Sequence, residues 1–263
     1  MNRFARLLVC CATAILALPL AAQNLLAPTG TLRAAFLGDN PSLGRMDKAT
    51  GAVTGPVAEM VKELARRMGV PYRLIPVPNA RVVAEQVLTG AADFGFMAYN
   101  AGRAKEVDFS DAWLLMPNTF LVRADSPIQK VDDADRSGVR IIAAKNDTQE
   151  VYLSAHLKNT SVTGIPKIPE DDEVKSLLAE KKIDALAANR QRLFEINGND
   201  TRFRIVADDF YVAGQAIAIT KGDAKRVESL NKLVADILAT DTVKSAIDRA
   251  GLRGVYPAKP KAR

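Results

Sequence analysis

Residues 54–69, TGPVAEMVKELARRMG, place Val57, Met60, Val61, Leu64, Ala65 and Met68 at i, i+3, i+4, i+7, i+8 and i+11. That spacing is one face of a helix. Pro56 suits its first turn and Gly69 its stop. Strand-like runs flank it, TLRAAF (31–36) and YRLIPV (72–77), and a second helical run, ARVVAEQVLTG (80–90), leads into the apolar ADFGFMA (92–98). The β-α-β-α-β order predicts parallel strands with helices on the sheet faces. The same order then recurs: VRIIAA (139–144), DTQEVYLSAHLK (147–158), SVTGIP (161–166), DDEVKSLLAEKK (171–182) and IDALAA (183–188). A chain that repeats this unit is constrained to an α/β fold with two sheet-forming units.

Two segments join the units, NTFLVRADSPI (118–128) and DDFYVAGQAIAIT (208–220). Two crossings describe a hinge pair and make the first unit discontinuous. The expected organisation is therefore two lobes, each a mostly parallel sheet flanked by helices: residues 23–121 plus 217–263, and residues 122–216. Two helices close the chain. In the first, Val227, Leu230, Leu233, Val234, Ile237 and Leu238 form the apolar face.

Residues 1–22 read differently. Arg3 and Arg6 start them, an apolar run follows from Leu7 to Leu20, and Ala21-Ala22 precede Gln23. This is the pattern of a secretory signal peptide cleaved near Ala22, and it predicts a periplasmic location. Both cysteines, Cys10 and Cys11, lie inside it, so the mature chain is expected to have no disulfide, thiol nucleophile or thiolate metal site. Without Arg3 and Arg6 the chain keeps 34 basic and 30 acidic residues, a formal charge of +4. The bases are dispersed, which argues against a nucleic-acid partner.

Open parallel sheets bind ligands beyond the carboxyl ends of their strands. The relevant loops are LGDNPSLG (37–44), PNA (78–80), YNAGR (99–103), KNDTQ (145–149) and NRQ (189–191). They supply Asp39, Asn40, Asn79, Tyr99, Arg103, Asp147, Thr148, Gln149, Asn189 and Arg190 as candidate ligand-binding residues. The set is polar and poor in acids, which favours an anionic group. Arg103 can grip a carboxylate in bidentate fashion. A helix starting at NDTQ offers unpaired N–H donors and the positive end of a dipole. The competing readings are ordinary: Arg103 paired at the surface with Glu106 or Asp108, Asp147 a helix N-cap, Trp113 and Tyr99 packed in a core. His156, the single histidine, falls mid-helix and is assigned no role. There is no G-x-S-x-G and no Gly-rich phosphate loop, so no catalytic residue, cofactor or metal is expected.

The stretches TGPVAEMVKELARRMGV, VLTGAADF, GRAKEVDFSDAW, VRIIAAKNDTQ, KKIDALAA and LNKLVADILATDTVKSAIDRAGL together resemble the solute-binding proteins of ABC importers, family 3, along nearly the whole mature chain. The resemblance implies a type II periplasmic binding fold and a monomer. It implies a receptor that closes on a small carboxylate-bearing solute, an amino acid or related acid, and delivers it to a membrane permease. GRAKEVDFS stands where the family has its arginine loop, which implies that Arg103 binds the carboxylate. The second-lobe helix start falls on Asp147, Thr148 and Gln149. There are departures. Phe96 and Ala98 stand where the family often has Ser or Thr, and Asn40 lies near the place of a covering aromatic residue. Asn189 stands where the family has an acid for the solute's ammonium, so that Asp39 or Asp147 takes over that charge, or the solute is not a standard α-amino acid. Two alternatives remain open: a periplasmic dehydratase of the cyclohexadienyl or arogenate type, with Asp39 as its acid, and a sensor input domain acting in trans.

Overall fold

The computed structural model describes residues 25–38, 40–47 and 49–260. The signal-peptide reading of residues 1–22 and the candidate Asp39 lie outside the described residues.

The first unit forms as the periodicity predicts. Strand β1 (Leu32–Leu37) is followed by a two-residue ribbon, β2 (Arg45–Met46) with β3 (Val53–Thr54), and then by helix α1 (Pro56–Met68). All six apolar positions of α1 are buried, and Pro56 opens it. Gly69 ends it in the left-handed region, φ 68°, with the N–H groups of Gly69 and Val70 donating to the carbonyls of Arg66 and Ala65. Glycine meets that φ without a Cβ penalty. Strand β4 (Tyr72–Val77), helix α2 (Ala80–Leu88) and strand β5 (Phe94–Ala98) complete the unit. β1 pairs in parallel with both β4 and β5. Side chains alternate across the sheet: Ala34 and Phe36 join the core under α1, and Ala35 joins the core under α2.

After β6 (Val107–Phe109) and the ten-residue β7 (Leu114–Arg123), the second unit repeats the pattern with β8 (Ile141–Ala144), α3 (Thr148–His156), β9 (Val162–Ile165), α4 (Asp171–Ala179) and β10 (Ala185–Asn189). β8 pairs in parallel with β9 and β10. The spatial order β9-β8-β10 reproduces β4-β1-β5. Helix α3 is shorter than expected and ends at Leu157, which turns extended.

One helix was not expected. Residues 189–191 were read as a loop, but α5 (Arg190–Asn197) starts there, because the Asn189 Oδ1 accepts from the Arg192 N–H at 3.0 Å and caps it. Its buried apolar face is only Leu193 and Ile196, with buried Gln191 beside them. That stripe is too sparse to register as periodic.

Strand β11 (Phe203–Ile205) pairs with β7, and the second crossing is β12 (Tyr211–Thr220). β7 and β12 pair antiparallel, from Tyr211 opposite Asn118 to Gln215 opposite Leu114. β12 continues against β5 and β6, while β7 continues against β10 and β11. One curled sheet results, ordered β4-β1-β5-β12-β7-β10-β8-β9. The chain closes with α6 (Ala224–Leu238), α7 (Thr242–Arg249) and β13 (Tyr256–Pro257), which pairs with the start of β7. In α6, Leu230, Val234 and Ile237 are buried, and Val227, Leu233 and Leu238 pack partly buried against them. Among the described residues no helix is long and apolar enough to cross a membrane.

Candidate functional site

The carboxyl ends of β1, β5, β8 and β10 converge with the middles of β7 and β12 on one small cavity of about 50 Å³. Six candidates line it: Asn40, Arg103, Asp147, Thr148, Gln149 and Asn189.

Arg103 opens a 3-10 turn after β5. Its N–H donates to the Asn100 Oδ1 at 2.8 Å, and its guanidinium donates to the Ala98 carbonyl at 3.0 Å. These bonds hold the side chain back over its own strand end and leave the remaining guanidinium N–H groups to the cavity. The surface reading fails, since among the described residues Arg103 makes no ion pair with Glu106 or Asp108 within 4 Å. Burial pushes its pKa down, and the charge of Asp147 pushes it back up.

Asp147 sits at the N-cap position of α3, yet its carboxylate makes no capping bond. Asn146 precedes it at φ 62°, a left-handed turn that asparagine tolerates. That turn brings the half-buried Asp147 to the cavity wall with Thr148 and Gln149. Burial raises the Asp147 pKa, and Arg103 lowers it in part. One cation and one anion therefore face a shared, partly desolvated space from opposite sides of the molecule.

Gln149 is tied down: its Nε2 donates at 2.6 Å to the Oδ1 of Asn118, a wholly buried residue of β7. The Asn118 amide in turn donates to the carbonyls of Met116 and Tyr211. The Asn189 Oδ1, besides capping α5, takes a long bond of 3.4 Å from the Ser42 hydroxyl. Its Nδ2 makes no hydrogen bond among the described residues. The Asn40 Oδ1 holds the Ser42 N–H at 3.1 Å.

Three candidates fall outside the lining. Arg190 is committed elsewhere. Its Nε donates to Asp209 at 2.6 Å, and its Nη2 donates to the carbonyls of Val206, Ala207 and Asp208. It braces the approach to β12. Asn79 is exposed and caps α2 by accepting from the Val82 N–H. Tyr99 is exposed and meets Phe109 edge-on at 5.4 Å. Trp113 is fully buried, edge-on to Phe96 at 5.7 Å, so it packs in the core. His156 stacks on Tyr152 at 3.9 Å.

Sequence reasoning missed Asn118 and Gln215, which line the cavity from the two crossing strands, and Leu37, Leu43, Met116 and Ala213, which make its apolar wall. A signal existed. Asn118 and Gln215 are single carboxamides inside otherwise apolar strand runs. Asn100 was missed as the residue that positions Arg103. Among the described residues no group of three or more His, Cys, Asp or Glu is placed to hold a metal ion.

Two parallel sheet units joined by two long crossing strands, with a polar cavity at the crossing, define a ligand-binding protein of the periplasmic type. Residues 32–251 match the bacterial extracellular solute-binding proteins, family 3, and the chain belongs to that family. Among curated relatives it is 24% identical over 191 residues to a glutamine-binding protein of Geobacillus stearothermophilus, covering 71% of each chain. Among solved structures it is similar to an amino acid ABC transporter substrate-binding protein of Streptococcus pneumoniae bound to L-arginine (TM-score 0.68, 22% identity, 86% of this chain and 96% of that one). It is also similar to an ancestral amino acid-binding protein described as a precursor of cyclohexadienyl dehydratase (TM-score 0.68, 21% identity, 86% and 97%). These likenesses show the type II periplasmic binding fold.

Proposed function

We propose that this solute-binding protein is a periplasmic, monomeric receptor that closes two lobes, residues 23–121 plus 217–263 and residues 122–216, on a small carboxylate-bearing solute. It then presents the solute to the permease of an ABC transporter. The observation that carries this reading is Arg103: a half-buried guanidinium, held by one carbonyl and aimed at a cavity, with no carboxylate within ion-pair distance among the described residues. A desolvated charge calls for a partner, and an arginine fork matches a carboxylate. Thr148 at the start of α3 completes the anion contact from the other side, while Asn40 and Asn189 supply carboxamide N–H groups to the rest of the solute. The named relatives, which bind glutamine and arginine, support an amino acid or related acid.

The test is calorimetry with a solute found by a thermal-shift screen of amino acids and dicarboxylates, since a ligand raises the melting point by mass action. Arg103→Ala is expected to weaken binding by about 30-fold or more, the cost of removing one partner of a desolvated charge pair. Unchanged affinity overturns the assignment.

One observation favours a second reading. A carboxyl with a raised pKa in a cleft is the form a general acid takes, and Asp147 has it. Turnover of prephenate or arogenate by the purified protein decides for a dehydratase.

A further inference from the structure

We infer that helix α5 and the two segments of the first lobe that grip it form a salt-sensitive latch, which draws the lobes together whatever the cavity holds, with Glu195 as its positioning residue. This rests on the two-lobe receptor reading above and adds to it a control of closure that lies outside the cavity.

α5 presents two faces. Leu193 and Ile196 are buried in the core of the second unit. Gln191, Phe194 and Glu195 fall at i, i+3 and i+4, so they share another face, and that face meets the first unit. From the loop beyond α7, Arg253 donates its backbone N–H to the Gln191 Oε1 at 2.6 Å and lays its guanidinium 4.3 Å over the Phe194 ring. From the β2–β3 ribbon, the Arg45 Nη2 donates to the Glu195 Oε1 at 2.8 Å. The Gln191 Nε2 donates to that same carboxylate oxygen at 3.0 Å. A continuous chain of bonds thus runs from Arg253 through Gln191 and Glu195 to Arg45. Glu195 also orients Gln191: with its amide nitrogen held by the carboxylate, the carboxamide turns its oxygen to Arg253.

These five residues stand outside the cavity lining, yet they adjoin it. Asn189, which lines the cavity, caps α5. Leu43, which lines it from the other lobe, is two residues before Arg45. The latch therefore brings the 37–44 loop against Asn189, where the Ser42 hydroxyl reaches the Asn189 Oδ1 at 3.4 Å.

The wider charge distribution acts in the same direction. Residues 23–121 plus 217–263 carry 20 basic and 14 acidic residues, while residues 122–216 carry 14 basic and 16 acidic. The first lobe is cationic and the second is anionic, so they attract as they approach. Arg45 keeps 66% of its side chain exposed and Glu195 21%. A pair so open to water is screened by salt.

The experiment measures lobe separation by double electron–electron resonance on the mature protein without solute. Spin labels go on Leu88→Cys and Ser176→Cys, exposed positions of α2 and α4. Sodium chloride is raised from about 0.01 M to about 1 M, which shortens the Debye length from about 30 Å to about 3 Å. The closed-to-open ratio is expected to fall by about 5-fold, the most that an exposed pair commands. Arg45→Glu sets like charges face to face. It should lower the ratio by a similar factor at low salt and reverse the salt slope. Adding Glu195→Lys to Arg45→Glu should restore both the ratio and the wild-type slope, which a merely structural role for either residue would not do. Two separations whose ratio ignores both salt and Arg45→Glu overturn the latch while the receptor reading stands. A double variant as open as Arg45→Glu also overturns the latch. A single separation at every salt, in every variant and with each of the twenty L-amino acids overturns both.

Discussion

Gly254→Ala tests how the two sides of the molecule meet outside the cavity. Gly254 lies just beyond α7, against α5. Its backbone has φ +66°, and a Cβ there would stand 2.7 Å from the Arg190 Cβ and 3.1 Å from its Cδ. Arg190 cannot swing aside cheaply, being held by Asp209 and by the Ala207 carbonyl, both at 2.6 Å. Beside it the Arg253 N–H donates to the Gln191 Oε1 at 2.6 Å, and the Arg253 guanidinium lies 4.3 Å over the Phe194 ring. The left-handed φ costs alanine about 1–2 kcal/mol wherever the lobes stand. If the lobes part as proposed, with Gly254 in the first and Arg190 in the second, the clash, an overpacking of about 1–3 kcal/mol, exists only in the closed form. Affinity should therefore fall on the order of 5- to 150-fold although no cavity residue has changed. Calorimetry measures this, and small-angle scattering should show a more open unliganded protein. Gly251→Ala is the control: its φ is +63° and nothing lies within 4 Å of its added Cβ, so it carries the backbone strain without the wedge. Equal affinities for Gly254→Ala and Gly251→Ala would refute the reasoning.

Other outcomes follow from the same geometry. The raised pKa of Asp147 means the folded state binds that proton more tightly than the unfolded chain does, so its contribution to stability is full below the unfolded carboxylate value of about 3.9 and is lost as pH rises through the folded value. Asp147→Asn should flatten that slope in urea melts across the acid range and raise the melting point of the ligand-free protein at neutral pH. A steeper slope would contradict the assignment. Gly95→Ala places a Cβ 2.8 Å from the Val83 Cγ1 and 2.9 Å from the Val87 Cγ2, and should cost about 1–3 kcal/mol in urea unfolding. Asn189→Asp keeps the cap of α5, since the two residues cap equally well, and adds a second carboxylate to the cavity. It should raise the thermal shift given by arginine or lysine relative to the wild type, and an unchanged shift would contradict the placement of Asn189 in the cavity wall.

Much of the scaffold is legible locally. The six apolar positions of α1, bounded by Pro56 and Gly69, specify a helix with one buried face whatever surrounds it, because the 3.6-residue period and the two terminal residues act within the segment. The repeated β-α-β-α-β order likewise leads to two parallel units, since parallel strands need a crossover between them. The loop carrying Arg103 is placed by the same rule. Tertiary contacts decided the rest. Arg190 looked like a second cleft cation until Asp209, nineteen residues away, claimed it. Asp147 has the sequence of an N-cap, and the turn at Asn146 makes it a cavity carboxylate instead. Asn118 and Gln215 sit in strands whose side chains face core or cleft according to pairing, and that pairing is between segments about a hundred residues apart. Periodicity within a segment determines which face is apolar; which polar side chains meet across a cavity depends on how distant segments pair.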